Sequence, residues 1–193
     1  MMSAHVMHSQ VSLFDAMPPG LRVRDEFITA REEAALIETF ATLPFQPFAF
    51  QGWFGRRETV SFGWRYDFND ARLHPAPPMP DFLLPLRERA AEFAGLSAEA
   101  LEQALIIRYD PGAGIGWHRD RPVYHRVVGL SLESACVLRF RRREGARFRR
   151  FSLDAQPRSA YLLSGEVRHE WEHSIAPVEQ RRFSVTFRSR GAR

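Results

Sequence analysis

With 193 residues, of which 45% are hydrophobic, the chain can bury one hydrophobic core but is too short for two comfortable domains. All 27 basic residues are arginines, the formal net charge is +4, and no apolar run approaches the roughly 18 residues that a membrane-spanning helix needs. The single cysteine, Cys136, excludes an internal disulfide, and its place in the apolar run ACVLRF favours a buried thiol over a nucleophile. We therefore expect a soluble cytoplasmic protein with one domain over residues 1–193, in which residues 1–20 form a flexible N-terminus.

Two amphipathic helices are predicted in the first half of the chain. The first follows a capping box of Thr29 and Glu32 and covers AREEAALIETFATL. The second covers FLLPLRERAAEFAG, with Asp81 as its cap and Gly95 as its stop signal. A third, short helix is predicted over residues 97–103. The region between the first two helices is too polar for a buried sheet and too aromatic for a plain linker.

From Ala104 onward the pattern changes to short apolar runs separated by Gly, Pro and Asp. This pattern predicts a β-sandwich or a barrel for the C-terminal half. The predicted strands are ALIIRY, RVVGLSL, CVLRFRR, RFRRFSL, SAYLLS and RFSVTFR.

A basic β-hairpin is predicted over residues 139–150, around the turn signal Glu144-Gly145. Arginine can hold a phosphate through two donors, which favours contact with nucleic acid. A solvated edge strand protected by its charge is the alternative. The hairpin carries Arg139, Arg141, Arg142, Arg143, Arg147, Arg149 and Arg150.

The sequence HEWEH, from His169 to His173, matches the HExxH pattern of zinc peptidases, in which a helix brings both imidazoles to one metal. Its neighbours predict a strand instead, because it lies between SAYLLSG and the breaker Ala176-Pro177. On a strand the two histidines would share one face with Trp171, and Glu170 would point to the other. A peptidase is therefore disfavoured.

His118 and Asp120, in YDPGAGIGWHRD, are two residues apart and would share one face of a strand. Together with a histidine from HEWEH they would complete the set of two histidines and one carboxylate that binds Fe(II) in non-haem oxygenases. The His-x-Asp pattern alone is weak evidence, since it is frequent on protein surfaces.

The C-terminal run RRFSVTFRSR places Arg182 and Arg188 on one face of a strand and Phe183, Val185 and Phe187 on the other. The two arginines would lie roughly 20 Å apart along the strand. Side chains that reach toward each other would leave a gap suited to a short dicarboxylate such as 2-oxoglutarate. For this segment alone, an amphipathic edge strand with two solvated arginines is the alternative.

Four motifs are similar, in this order, to those of the AlkB family of Fe(II)/2-oxoglutarate dioxygenases: YDPGAGIGWHRD, GLSLESACVLRF, LLSGEVRHEWEHSI and RRFSVTFR. The resemblance extends from about Gly52 to Arg190 and implies an α+β, mainly β fold, with a double-stranded β-helix (jelly-roll) core and supporting N-terminal helices. It also implies Fe(II), 2-oxoglutarate and O2 as cofactors. The implied metal ligands are His118, Asp120 and His173, and the implied 2-oxoglutarate ligands are Tyr109, Arg188 and Arg182, the last of which would hold the distal carboxylate.

The activity that this resemblance implies is oxidative demethylation of N-alkylated bases in DNA or RNA, a DNA-repair reaction that releases formaldehyde, succinate and CO2. Hydroxylation of a tRNA wobble uridine or of a protein side chain is an alternative, as is a nucleic-acid-binding jelly roll without iron. The implied partner is nucleic acid, and we expect a monomer that does not bind membranes.

A methylated base must leave its stack to reach a buried iron, which requires aromatic surfaces and phosphate contacts nearby. We therefore interpret residues 45–80 as a substrate-recognition lid, with WFG at 53–55 as its mobile part. Trp64 and Tyr66 are candidate partners for a base or a phosphate, and Arg56 and Arg57 are candidate anchors. Ordinary core packing is the alternative for the aromatic residues.

Four positions depart from the pattern of the family. Ile107 and Ser184 stand where several members have asparagine, and His169 stands where tyrosine is frequent. Arg121 follows the HRD sequence, at a place where DNA-repair members commonly have an acidic residue that reads the exocyclic nitrogen of the damaged base. These departures leave the base preference open.

Overall fold

The computed structural model describes residues 17–50, 53–68 and 70–191. Most of the expected flexible N-terminus lies outside the described residues, whereas Pro19 and Gly20 already accept hydrogen bonds from Val167 and Ser164. None of the helices in the described residues has the length and apolar content needed to cross a bilayer.

The strands are β1 (Leu21–Arg24), β2 (Gln46–Phe50), β3 (Trp53–Phe62), β4 (Trp64–Asp67), β5 (Arg72–Pro75), β6 (Leu101–Tyr109), β7 (Ile115–His118), β8 (Tyr124–Leu132), β9 (Cys136–Glu144), β10 (Arg147–Ala155), β11 (Ala160–Leu163), β12 (Glu172–Ile175) and β13 (Arg182–Arg190). The α-helices are α1 (Ala30–Phe40), α2 (Leu84–Ala94) and α3 (Gly165–His169), and short 3-10 helices span Asp81–Leu83 and Ala98–Ala100. All six strands predicted in the C-terminal half are present.

Two antiparallel sheets pack face to face. The larger sheet has seven strands in the order β1-β11-β8-β13-β6-β3-β2, and the smaller has four in the order β10-β9-β12-β7. A separate two-stranded sheet is formed by β4 and β5. This arrangement confirms the predicted fold class, a mainly β jelly roll with supporting helices.

The interior contains two cores, not the single core expected from the chain length, and β13 lies between them. Phe183, Val185 and Phe187 belong to the core between the larger sheet and helices α1 and α2. The Phe183 ring, for example, meets the edge of Phe40 from α1 at 5.5 Å. The opposite face of β13 turns toward the second core, between the two sheets, to which Tyr109 contributes its ring. Both faces of this strand are therefore buried.

Glycine is required at one position of the barrel wall. Gly129 of β8 is the cross-strand partner of Tyr161 in β11. A Cβ atom at Gly129 would lie 2.2 Å from the Cζ atom of Tyr161, so the tyrosine ring covers the bare backbone of the glycine. Burial raises the pKa of Tyr161, which keeps its hydroxyl protonated.

The predicted capping box at the start of α1 is confirmed. The backbone N–H of Glu32 donates to the Thr29 hydroxyl at 3.2 Å, and the Glu32 carboxylate accepts from the Thr29 backbone N–H at 2.7 Å. Two N–H groups that a helix start leaves without intrahelical partners are thereby paired.

Thr29→Ala is expected to lower the free energy of unfolding by about 1 kcal/mol, because it removes the hydroxyl that pairs with the Glu32 N–H. Thr29→Ser is the matched control, since it keeps a hydroxyl at the same place. Urea unfolding of both variants measures the effect. An equal loss from both variants would contradict a role for the cap.

Two details of the second and third predicted helices are wrong. Asp81 does not cap α2: it lies inside a 3-10 turn, and α2 begins after Leu83 with Pro85 in its first turn, where no N–H is needed. The predicted end is confirmed, because Gly95 adopts the left-handed conformation at φ 67°. The third helix is only the turn Ala98–Ala100, since the buried strand β6 begins at Leu101.

The region around residues 45–80, expected from its sequence to be too polar for a buried sheet, nevertheless contributes strands, and β3 is mostly half-buried. Strands β2 and β3 extend the larger sheet, and Glu58 of β3 pairs with Arg108 of β6. The WFG sequence forms the start of β3. Polar residues are tolerated in β3 because Arg57, Thr59 and Ser61 face a cavity rather than a packed core.

Candidate metal and co-substrate site

The three predicted metal ligands lie together at one end of the smaller sheet. His118 is the last residue of β7, His173 lies in β12, and the two are cross-strand partners with ring centroids 4.2 Å apart. Asp120 lies in the loop after β7, not on the strand as expected, and its Oδ2 is 3.8 Å from Nε2 of His173. Strand pairing therefore joins residues that are 55 positions apart in the sequence.

An arginine holds the carboxylate of this group in place. The Nε and Nη2 atoms of Arg188 lie 3.2 and 3.1 Å from Oδ1 of Asp120. Burial alone would raise the pKa of Asp120, but attraction to Arg188 lowers it well below its usual value. Asp120 is therefore ionised at neutral pH.

Both histidines are neutral at neutral pH. Burial, together with the neighbouring His118, lowers the pKa of His173 to about 3, and burial also lowers the pKa of His118. The Nδ1 atom of His118 lies 2.9 Å from the Gly116 carbonyl, so a proton on Nδ1 would leave the Nε2 lone pair free for a metal. Two neutral imidazoles and an ionised carboxylate are in the protonation states that divalent iron requires of its ligands.

The second arginine of β13 is buried with unpaired donors. Arg182 is 1% exposed, and its Cζ lies 4.8 Å from the ring centroid of Tyr109, its cross-strand partner. Its Nη2 donates to the Ser131 hydroxyl at 3.1 Å, whereas Nε and Nη1 have no partner among the residues that the structure describes. A buried guanidinium with two unpaired donors fits the carboxylate of a small acid.

The two departures from asparagine meet at one point of the barrel wall. Ile107 of β6 and Ser184 of β13 are cross-strand partners, and both are buried. Ile107 lies two residues before Tyr109, and Ser184 lies two residues after Arg182. The wall beside the predicted co-substrate therefore carries one apolar side chain and one hydroxyl.

A cavity of about 1000 Å³ opens beside His118, Asp120 and Arg188. Of the four predicted substrate contacts, Arg57 and Tyr66 line this cavity. Trp64 does not: its ring packs against the guanidinium of Arg190, with Cζ 4.6 Å from a ring centroid. Arg56 is exposed beside Gly112, also outside the lining.

The interpretation of HEWEH as a continuous strand is wrong. Helix α3 starts at Gly165, which adopts φ 54°, and ends at His169, and β12 begins only at Glu172. The exposed His169 lies 5.8 Å from His125 between ring centroids, and Glu170 contacts Arg142. Neither belongs to the group around His173, and α3 is too short to carry both histidines of a zinc-peptidase helix.

Another group of ligand-type side chains, which the sequence analysis did not single out, lies in the β4–β5 hairpin. The ligand atoms of Asp67, Asp70 and His74 lie within 4.8 Å of one another. His74 pairs with Asp70 at 2.7 Å, and the Arg72 N–H donates to Asp70, so local contacts of the hairpin account for the arrangement.

The basic hairpin formed by β9 and β10 contains two kinds of arginine. Arg141 and Arg142 are neutralised by carboxylates, Arg141 by Glu172 at 2.6 Å and Arg142 by three glutamates at 2.6 to 3.2 Å. Within the described part of the chain, no carboxylate pairs with Arg143, Arg147, Arg149 or Arg150. The end of the hairpin thus carries uncompensated positive charge.

Comparison with known proteins gives one family and several relatives. A family model described as the 2OG-Fe(II) oxygenase superfamily matches residues 20–188. The chain is 30% identical over 169 residues to the tRNA (carboxymethyluridine(34)-5-O)-methyltransferase ALKBH8 of Mus musculus, which covers 84% of this chain and 25% of the relative. It is 26% identical over 193 residues to the alkylated DNA repair protein ALKBH8 homolog of Arabidopsis thaliana, 86% of this chain and 54% of the relative. The chain thus spans a quarter to about half of these relatives.

Two solved structures share the fold. The structure of OsALKBH1 has a TM-score of 0.69 at 14% identity and covers 91% of this chain and 99% of that one. A Pseudomonas putida prolyl-4-hydroxylase has a TM-score of 0.63 at 14% identity, with 89% and 93% covered. At this identity the likeness concerns the fold alone.

Proposed function

Because the chain belongs to the AlkB family within the 2OG-Fe(II) oxygenase superfamily, whose members use Fe(II), 2-oxoglutarate and O2, we propose that it oxidatively demethylates N-alkylated bases in DNA or RNA. In this proposal His118, Asp120 and His173 hold the iron. Tyr109, Arg182 and Arg188 hold 2-oxoglutarate. The observation that carries it is the convergence of the two neutral histidines and the ionised aspartate beside an aromatic cavity whose floor includes His118 and Asp120.

When bound, iron, 2-oxoglutarate and O2 would supply hydroxylation of a methyl carbon attached to a base nitrogen, with release of formaldehyde from the methyl group and of succinate and CO2 from 2-oxoglutarate. The residues of the chain would bind the iron and 2-oxoglutarate and orient them. Arg188 keeps Asp120 ionised and fixed, and the unpaired donors of Arg182 receive the distal carboxylate. Burial between two sheets excludes water from this floor.

Nucleic acid is supported as the substrate by two features. The unpaired arginines at the end of the β9–β10 hairpin can contact phosphates. The cavity wall carries the rings of Phe48, Tyr66 and Trp117, each with a guanidinium group over it, and these planar guanidinium groups can stack on a base that has left its own stack. Residues 45–80 retain the role of substrate recognition in this proposal, as the β2–β3 and β4–β5 segments that line the cavity.

Hydroxylation of a modified tRNA uridine is the second candidate, and the similarity to the mouse relative, whose name describes an enzyme that acts on a tRNA uridine, favours it. A cytoplasmic location and a monomeric state stay predictions.

A product screen tests the proposal. The protein with iron, ascorbate and 2-oxoglutarate is incubated with methylated single- and double-stranded DNA and RNA and with bulk tRNA, and products are read by mass spectrometry. We expect loss of a methyl group from at least one nucleic acid, dependent on 2-oxoglutarate. An added oxygen that stays on a tRNA uridine would favour the second candidate, and unchanged nucleic acids with oxidised protein would refute both.

Replacing Arg147, Arg149 and Arg150 together by glutamate is expected to weaken nucleic-acid binding and to lower its salt slope by about 2, since each lost phosphate contact releases roughly 0.7 to 0.9 fewer counterions. Turnover of 2-oxoglutarate without nucleic acid should change little, because it depends on the buried site. Binding titrations at several salt concentrations measure the effect.

Arg31→Glu, at an exposed position of α1, is the control for a change of charge outside the hairpin. If the triple variant binds with unaltered affinity and salt slope, the hairpin is a solvated edge and the phosphate contacts lie near Arg56 and Arg57.

A further inference from the structure

The cavity beside the site carries an excess of positive charge. Its lining contains five arginines, Arg57, Arg65, Arg119, Arg121 and Arg188, and two aspartates, Asp67 and Asp120. Both aspartates are already paired, Asp120 with Arg188 and Asp67 with Arg65 at 3.4 Å. Among the described residues, no carboxylate is paired with Arg57 or Arg121.

The aromatic rings of this cavity are covered by the protein's own guanidinium groups. Arg57 lies over Phe48 with its Cζ 3.6 Å from the ring centroid, and Arg121 lies over Tyr66 and Phe68 at 5.1 and 4.8 Å. The other two aromatic side chains of the lining are also covered. Arg139 and Arg141 lie over Trp117, and Arg188 lies over Tyr124. Ring faces that could attract a cation are therefore occupied by cations.

Arg121 is held at a fixed place beside the metal ligands. It follows Asp120 directly, and its carbonyl accepts hydrogen bonds from the buried Arg168, at 2.5 Å, and from the Tyr124 backbone N–H, at 3.0 Å. Its half-buried side chain is further held by the two rings beneath it. A fixed guanidinium presents donors in a constant direction to whatever enters the cavity.

Arg57 faces the same space from the opposite sheet. Arg57 lies in β3 directly before Glu58, which is the cross-strand partner of Arg108 in β6. Because the two strands are antiparallel, Arg57 lies beside Tyr109 of β6. Burial lowers the pKa of Arg57, yet a guanidinium remains protonated in proteins. A half-buried cation without a carboxylate partner favours a ligand that brings acceptor oxygens.

We propose that Arg121, together with Arg57, makes this cavity select bases whose edge carries carbonyl or carboxylate oxygens and reject bases that are cationic. The inference rests on the proposed function and narrows its substrate class. Methylated uracil, thymine or guanine, which are uncharged, and uracil with an acidic substituent would be accepted. N1-methyladenine and N3-methylcytosine, which carry a positive charge at neutral pH, would be disfavoured by like-charge repulsion.

Anaerobic binding separates this inference from catalysis. The protein with iron and 2-oxoglutarate, without O2, is titrated with short single strands that differ only in one central base: 1-methyladenine, 3-methylcytosine, 3-methyluracil or 5-carboxymethyluracil. We expect the cationic bases to bind on the order of tenfold more weakly than the other two. The last two strands distinguish a neutral carbonyl edge from a carboxylate as the preferred ligand.

Arg121→Glu should reverse this order, and Arg121→Gln should remove most of the difference. The glutamine variant keeps the test valid if the glutamate variant does not fold, and Arg31→Glu should keep the order of the wild type. Cationic bases bound as tightly as the others by the wild type, or an order unchanged in both Arg121 variants, would overturn the inference. If strands bind in the expected order but none is oxidised in air, the proposed function fails and the charge selection stands.

Discussion

His118→Ala and Asp120→Ala are each expected to reduce turnover of 2-oxoglutarate by more than about 100-fold, whereas Glu170→Ala should leave it largely intact. Loss of a residue that merely supports a metal ligand costs about 10- to 100-fold in metal affinity or activity, so loss of a ligand should cost at least as much. The asymmetry follows from the structure, because His118 and Asp120 face His173, whereas Glu170 is exposed and contacts Arg142.

Succinate formation and iron binding measure this prediction, with circular dichroism as the check on folding. Asp120→Asn is a second variant of similar shape, which is useful because Asp120→Ala leaves the Arg188 charge buried and unpaired, at a cost of roughly 3 to 5 kcal/mol in stability. Equal losses from the Glu170 and His118 variants in folded protein would revive the peptidase interpretation.

Arg182→Ala is expected to raise the concentration of 2-oxoglutarate needed for half-maximal turnover by about 10- to 100-fold. The change removes a charge-assisted pair with the distal carboxylate, which is worth about 1.5 to 3 kcal/mol. Iron binding should survive, because Arg182 lies beside Tyr109 and Ser131 and is not in contact with the histidines.

Arg181→Ala is the matched control for this variant, since Arg181 is the adjacent arginine but is exposed and pairs with Glu133 at 2.7 Å. Titration of 2-oxoglutarate against turnover, with iron binding followed separately, distinguishes the two positions. If the two variants have the same dependence on 2-oxoglutarate, Arg182 does not hold the co-substrate.

The parts of the fold that could be predicted are those in which one physical requirement dominates the sequence. Strand β13 packs against helices on one face and faces the second sheet on the other. Its sequence therefore alternates Phe183, Val185 and Phe187, which face the helices, with arginine and hydroxyl side chains, which face the second sheet. The proximity of His173 to His118 and Asp120 is implied by the resemblance to the AlkB family, whereas the residues alone leave open which histidine of HEWEH joins them.

The errors arise where local sequence and tertiary surroundings disagree. The sequence of β3 does not predict a strand, because Arg57, Thr59 and Ser61 line a cavity and the apolar alternation of a packed strand is absent. The segments on either side of HEWEH favour a strand, whereas Gly165, with its left-handed backbone, begins a short helix that ends at His169. The arginine over each cavity ring could not be predicted either, because these contacts join separate strands and loops.

The contact between Gly129 and Tyr161 restricts how this barrel can diverge during evolution. A methyl group at position 129 would occupy the space of the tyrosine ring, so Gly129→Ala alone is incompatible with the present packing. A smaller side chain at position 161 would free that space but leave a void beside the glycine. The two positions must therefore change together, and among distant descendants of this sequence a side chain at 129 should appear only where the tyrosine at 161 has been lost.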